Sequence, residues 1–175
     1  MINRLLTFIR DIFIPDYGAI DAAIKSDESR ETFNRVSGEM NTRKMREMHY
    51  TLVDERDWPW KYFTPKEIAS KGDGLILIDF DAMDKLEEFR DILKEPFTPN
   101  SAYRSEAHNK AVGGAKNSMH RLGRAFDIPI KGKMTRERIK TVAEHVGFTG
   151  FGDYDTFVHI DTGKPRYWDM RTKDV

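Results

Sequence analysis

Apolar positions along the chain follow two periods. From Asp81 onward, Met83, Leu86, Phe89 and Leu93 recur at spacings of three and four, which predicts an amphipathic helix ended by Pro96. Ile139, Val142, Ala143 and Val146 repeat that spacing in a helix expected from Thr135 and stopped by Gly147. Thr64-Pro65-Lys66-Glu67 reads as a helix start, with threonine capping, proline in the first turn and glutamate reaching back. Elsewhere the period is two. Arg124 to Ile128 alternates as a strand does, setting Ala125 and Asp127 on one face and Phe126 and Ile128 on the other. Phe157 to Asp161 repeats the design: Val158 and Ile160 can be buried while His159 and Asp161 share the opposite face. A strand is also expected at Ser101 to Arg104, Gly72-Asp73-Gly74 forms a turn ahead of Leu75 to Ile78, and Gly113 and Gly114 imply a tight loop. A few short strands among helices, without regular βαβ alternation, predict an α+β fold: a small antiparallel sheet with flanking helices.

Before Trp58-Pro59-Trp60 the pattern is poorer. Residues 16–57 alternate charges with sparse apolar residues, compatible with helices around Gly18 and Gly38. The change of composition divides the chain into an accessory helical N-terminal segment, 1–57, and a domain over 58–175. Leu5, Leu6, Phe8 and Ile9 follow Arg4 as in a secretion signal, but Arg10 and Asp11 interrupt the apolar run too early. The expectation is an amphipathic helix ending before Pro15, with no clear signal peptide and no transmembrane segment.

Composition narrows the chemistry. With 29 Lys and Arg against 29 Asp and Glu the net charge is zero, so nothing calls for nucleic acid or an acidic membrane as partner. Cysteine is absent, so any metal must be held by imidazole and carboxylate groups. His120 and Asp127 stand seven residues apart, with Gly123 between them to let the chain turn tightly. Two adjacent strands would bring Asp127 and His159 together, with His120 arriving from the preceding loop. That makes a three-ligand site with an open fourth position, the arrangement of a catalytic zinc centre.

Several separated motifs stand in one order: Ser101-Ala102-Tyr103-Arg104-Ser105, His108-Asn109, Val112-Gly113-Gly114-Ala115, Asn117-Ser118-Met119-His120, Gly123 to Asp127, and Phe157 to Gly163. Over about Trp58 to Trp168 the chain resembles the zinc D-alanyl-D-alanine carboxypeptidase and murein endopeptidase family, with the hedgehog/DD-peptidase fold, in the branch that includes phage lysis and tail proteins. The resemblance implies Zn²⁺ bound by His120, Asp127 and His159, and peptidoglycan stem peptides as substrate. It further implies action in the periplasm or cell wall, with the protein virion-associated or released by lysis and residues 1–57 docking on phage or tail-like structural proteins. A related signalling domain keeps its zinc as a binding module, so a non-hydrolytic cell-wall-binding or virion module is the alternative.

Hydrolysis needs a base. Several relatives carry an acid three residues before the last histidine, where this chain has Thr156. Asp161, two residues beyond His159 on the same strand face, is the first candidate base, or else a partner that orients the histidine. Asp153 is the second, with Asp155 beside it. By the resemblance Arg104 faces the cleft and stabilises an oxyanion, rather than pairing with Glu106 at the surface. Ser118 is expected to hydrogen-bond within the metal loop and His108 to brace it, while His145 reads as structural and His49 as exposed outside the domain.

Overall fold

The computed structural model describes residues 47–54, 56 and 58–172. In chain order these form β1 (Met48–His49), a 3₁₀ turn (Tyr50–Leu52), α1 (Pro65–Ile68), β2 (Leu75–Ile76), α2 (Phe80–Leu93), α3 (Glu106–Ala111) and a second 3₁₀ turn (Met119–Leu122). Then follow β3 (Ala125–Pro129), α4 (Arg136–His145), β4 (Gly150–Asp153), β5 (Phe157–Asp161) and β6 (Arg166–Asp169). The helical segment expected over residues 1–57 lies outside the described residues up to residue 46. Residues 48–50, ahead of the boundary expected at Trp58, pack on the domain: Met48 and His49 pair with Ile76 and Leu75, and Tyr50 N–H bonds the Gly74 carbonyl. His49 is therefore half-buried rather than exposed, its ring filling the space beside Gly74.

The main sheet has the order β3-β5-β4-β6. β3 and β4 pair antiparallel with β5, but β6 runs parallel to β4, so the sheet is mixed where a wholly antiparallel one was expected. The expected strand at Ser101 to Arg104 is an extended segment joined to β3 through one bridge, Ser101 with Asp127. α3 was not visible in the apolar pattern; its cue is local, the Ser105 side chain capping the His108 N–H.

One face of the sheet makes the core. Phe126, Ile128, Val158 and Ile160 point there, and α2 and α4 cover them. α2 starts at Asp79, whose side chain caps Ala82, and buries Ala82, Met83, Leu86, Phe89 and Leu93 on one stripe. It ends with Lys94 in the left-handed conformation, two residues short of Pro96. α1 has the capping box that Thr64 and Glu67 foretell, with both reciprocal hydrogen bonds formed.

The other face holds two rows of residues that cross the strands in register. Asp127, His159, Gly152 and Trp168 form one; Ala125, Asp161, Gly150 and Arg166 form the second. The 3₁₀ turn carrying His120 packs against β3 at this face, and Gly123 closes it at φ +68°. A Cβ at Gly123 would stand 2.5 Å from the backbone carbonyl oxygen of Leu77, with no flexible atom to yield. Gly123→Ala is therefore expected to lose at least the roughly 1–2 kcal/mol of a left-handed non-glycine residue, read as a lower urea midpoint. A midpoint equal to that of the parent would show that the turn does not need glycine.

Candidate active site

His120, Asp127 and His159 are all buried, and their side chains meet at the floor of a cleft of about 570 Å³. Asp127 and His159 are direct cross-strand partners, so the pleat aims both side chains to the same side. His120 is turned toward them by a bond from its Nδ1–H to the Ala102 carbonyl (2.6 Å), which leaves Nε2 as an acceptor. His159 is fixed the other way round: its Nε2 faces Asp161 Oδ2 at 2.9 Å, which leaves Nδ1 as an acceptor toward the cleft.

His120 Nε2 lies 3.2 Å from both Asp127 Oδ1 and His159 Nδ1, and the last two are 2.9 Å apart. Tetrahedral donors at zinc bond lengths of about 2.0–2.1 Å would be separated by roughly 3.3 Å. The donor set therefore fits a divalent ion that accepts nitrogen and oxygen, with the cleft side of the group open. Two imidazole lone pairs and a carboxylate oxygen this close also require positive charge among them. A bound cation would supply it, and without one a proton on His159 would. Burial works against that proton, but hydrogen bonds to Asp127 and Asp161 and their negative charge hold His159 above its ordinary pKa. Burial holds His120 below its ordinary value, though Asp127 opposes this. For Asp127 burial is again the opposing influence, and the two imidazoles keep its carboxyl ionised well below the usual range.

The supports of the group are themselves bonded. Arg104 donates through Nη2 to Asp127 Oδ2 (2.7 Å) and through Nε to Ser101 Oγ (2.7 Å). Asp161 is fully buried and takes Arg166 Nη1 and Nη2 (3.0 and 2.6 Å) and the Gly163 N–H (2.7 Å). Gly150 makes its room, since a Cβ there would be 2.4 Å from Asp161 Oδ2. Trp168 lies over Gly152, where a Cβ would meet the indole at 2.4 Å, and its ring centroid is 5.1 Å from that of His159. Tyr154 and Phe157, stacked at 4.3 Å, continue this wall, while Val112 to Met119 form the opposite lip.

A model of the family described as Peptidase M15 matches residues 61–161, more than half of the chain. The chain belongs to the peptidase M15 family. Among curated proteins, the M15 stretch is 33% identical over 99 residues to the peptidoglycan L,D-endopeptidase MepK of Escherichia coli, covering 52% of this chain and 54% of that protein. It is 40% identical over 73 residues to the probable peptidoglycan L,D-endopeptidase MepK of Haemophilus influenzae (38% and 39%). Its identity to the zinc D-Ala-D-Ala carboxypeptidase of Streptomyces albus G is 33% over 90 residues (48% and 35%). The chain thus spans about half the length, or less, of the curated relatives it matches.

Of the residues singled out in this M15 sequence, His120, Asp127, His159 and Arg104 come together at the cleft. Asp161 and Asp153 are not at its open side. Asp161 sits behind the His159 ring, on Nε2, away from the nitrogen that faces Asp127 and His120. Asp153 pairs in register with Val158, so it lies on the opposite sheet face, bonded to Lys140 and Tyr167 and 3.3 Å from Arg136. Asp155 is exposed and bonds Thr172. Glu106 pairs with Arg121, not Arg104. His108 accepts from Gly72 N–H and bonds Ser70, bracing that turn rather than the cleft lip. Sequence reasoning passed over Tyr154, Arg166 and Trp168. The period-two relation of Arg166 and Trp168 along β6, matching Asp161 and His159, was the available signal.

Two outcomes follow for this M15 site. Asp161→Ala is expected to weaken zinc binding about 10–100-fold, measured by competition with a chelating dye, with the fold retained; unchanged affinity would mean that Asp161 does not hold the ring. Because metal must displace the His159 proton, whose pKa is raised, affinity should fall as pH is lowered from 8 toward 5. Calorimetry in buffers of different ionisation enthalpy should then register proton release near neutrality. Binding that is flat across this range would contradict the assigned proton.

Proposed function

We propose that the protein is a zinc peptidase that hydrolyses peptide bonds of bacterial peptidoglycan, with His120, Asp127 and His159 holding the metal. The observation that carries this reading is the meeting of three donor atoms at 2.9–3.2 Å on the floor of an open cleft. Membership of the M15 family, and relatives named for peptidoglycan cleavage and for zinc, support it. A bound zinc ion supplies Lewis acidity, lowering the pKa of water toward neutrality and polarising a carbonyl. The chain's own side chains do the rest. Arg104 immobilises Asp127 Oδ2 and presents guanidinium charge to a substrate carbonyl or carboxylate. Arg166 and Gly163 hold Asp161, which holds His159. Trp168, Tyr154 and Phe157 give the stem peptide an apolar wall.

Within this reading the enzyme acts at the cell wall or in the periplasm as a D,D-carboxypeptidase or endopeptidase, and the L,D-endopeptidase relatives add a third class of bond to be tested. Docking of the N-terminal segment on a phage or tail-like particle is supported by the resemblance alone. Co-purification of the full chain, but not of residues 47–175, with tail proteins tests it. A second reading, a zinc-containing murein-binding module without hydrolysis, is favoured by one observation. Among the described residues, Asp127 is the one carboxylate on the cleft wall, and at the position where the family resemblance leads one to expect an acid this chain has Thr156.

Purified murein decides between the readings. The zinc-loaded protein should release new amine termini, lose the activity on chelation and regain it with Zn²⁺, while His159→Ala should lose it by at least about 10³-fold, as expected when a group on which a catalytic unit depends is removed. Mass spectra of the fragments then assign the bond. Murein binding without new amine termini would replace the peptidase by the binding module.

A further inference from the structure

Among the described residues the cleft wall holds no carboxylate besides Asp127, and one of its uncommitted donors, the Tyr154 hydroxyl, is held in a fixed setting. Tyr154 lies in the turn between β4 and β5. That turn is held firmly: Tyr154 N–H bonds the Phe157 carbonyl (3.1 Å), and Arg136 Nη2 bonds the Tyr154 carbonyl (2.7 Å). The ring is stacked on Phe157 with the planes 11° apart, which fixes the direction of the hydroxyl. Trp168 Nε1–H donates to that hydroxyl oxygen at 3.2 Å. A phenol has one proton to give, and with its oxygen already accepting from an indole that proton must go elsewhere. Among the described residues no acceptor for it is present.

The site is built around this relation. Gly152 leaves the space in which Trp168 lies, and the same indole borders the ring of His159 at 5.1 Å. The Tyr154 oxygen is thus set off from the His159 imidazole by the width of one indole, with both on the wall of one cleft. Arg104 reaches the floor from the other end of the group, on Asp127. The three donor atoms, the Arg104 guanidinium and the Tyr154 hydroxyl thus line one cleft, open to the same bound group.

We propose that Tyr154 is a further catalytic residue, donating its hydroxyl hydrogen bond to the oxygen that gains negative charge when a peptide carbonyl becomes tetrahedral. The role rests on the peptidase reading above. No bond is made or broken at the phenol: it keeps its proton throughout, and the effect is electrostatic, larger for the tetrahedral anion than for the planar peptide. Trp168 contributes by occupying the lone pair that would otherwise let the hydroxyl turn away.

Tyr154→Phe removes the hydroxyl and keeps the stacked ring, so it tests the proposal with the fold intact. Two measurements are made on the zinc-loaded full chain. The first is calorimetric binding of a phosphinate dipeptide, a tetrahedral anion, against a non-hydrolysable planar dipeptide. Tyr154→Phe should bind the phosphinate about 10–100-fold more weakly, in keeping with loss of one oxyanion donor, and should bind the planar ligand and zinc as the parent does. The second is murein digestion, where kcat should fall by a similar factor with KM little changed. Parent-like phosphinate affinity and kcat in Tyr154→Phe would overturn the proposal and leave the peptidase standing. Loss of zinc from the variant would overturn it as well, by making the hydroxyl structural, and so would a zinc-loaded parent with no affinity for the phosphinate. If the parent releases no amine termini from murein, the peptidase reading falls, and the phosphinate comparison still decides whether Tyr154 is an anion donor.

Discussion

The pairing of β3 with β5 in one particular register is the constraint from which the site follows. It sets Asp127 opposite His159, and because side chains on a strand alternate, the same register sends Phe126, Ile128, Val158 and Ile160 to the core. A slip by one residue would put the carboxylate and the imidazole among α2 and α4 and expose four large apolar side chains. Burial of those four, at roughly 1.5–3 kcal/mol each, therefore holds the two donors in place. The register is guarded on the far edge too, where Asp127 N–H and C=O bond Ser101 and Asn100. The carboxylate is thus located by backbone on both sides before any ion is involved.

The third donor is tied to the same framework through backbone. His120 sits on a short 3₁₀ turn, a conformation with little stability of its own. What fixes it is its neighbours: Ala102 takes its Nδ1–H, its carbonyl accepts the Arg104 N–H, and Gly123 reverses the chain. The segment from Ser101 to Arg104 consequently serves three side chains at once. It bridges to Asp127, orients His120, and places Arg104 on Asp127 Oδ2. A group of buried donors held this way is preorganised for a cation, and the lone pairs turned toward one another make the metal-free state the less comfortable one.

Much of this was legible in the sequence, and for definite reasons. The strands β3 and β5 carry clean alternation, so the faces of Asp127 and His159 could be assigned from four apolar residues. The long helix α2 and the cap at Thr64 rest on equally local rules. What stayed hidden depends on relations between distant segments. Parallel addition of β6 has no local signature, so the sequence alone does not bring Arg166 and Trp168 to the cleft that they line. Asp153 is a candidate base only as long as β4 goes unrecognised as a strand: once β4 pairs with β5, parity sends Asp153 to the α4 side. Asp161 was placed on the correct face, but a face does not say which nitrogen of His159 it meets. With Nε2 on Asp161 and Nδ1 on the donor group, a shared face becomes a position in front and a position behind.

The two glycines of β4 show how much of the cleft depends on atoms that are missing. Glycine inside a strand weakens it, since nothing packs there and the unfolded chain gains freedom. Gly150 and Gly152 nevertheless occupy the sheet positions next to Asp161 and His159. A methyl group at either would strike the carboxylate or the indole at 2.4 Å. Their absence lets β6 reach across β4, so that Arg166 binds Asp161 and Trp168 settles against His159. In the sequence this Gly-rich stretch resembles a flexible approach to the last histidine. In the fold it is a slot, and its occupants determine both how the His159 ring is held and which way the Tyr154 hydroxyl faces.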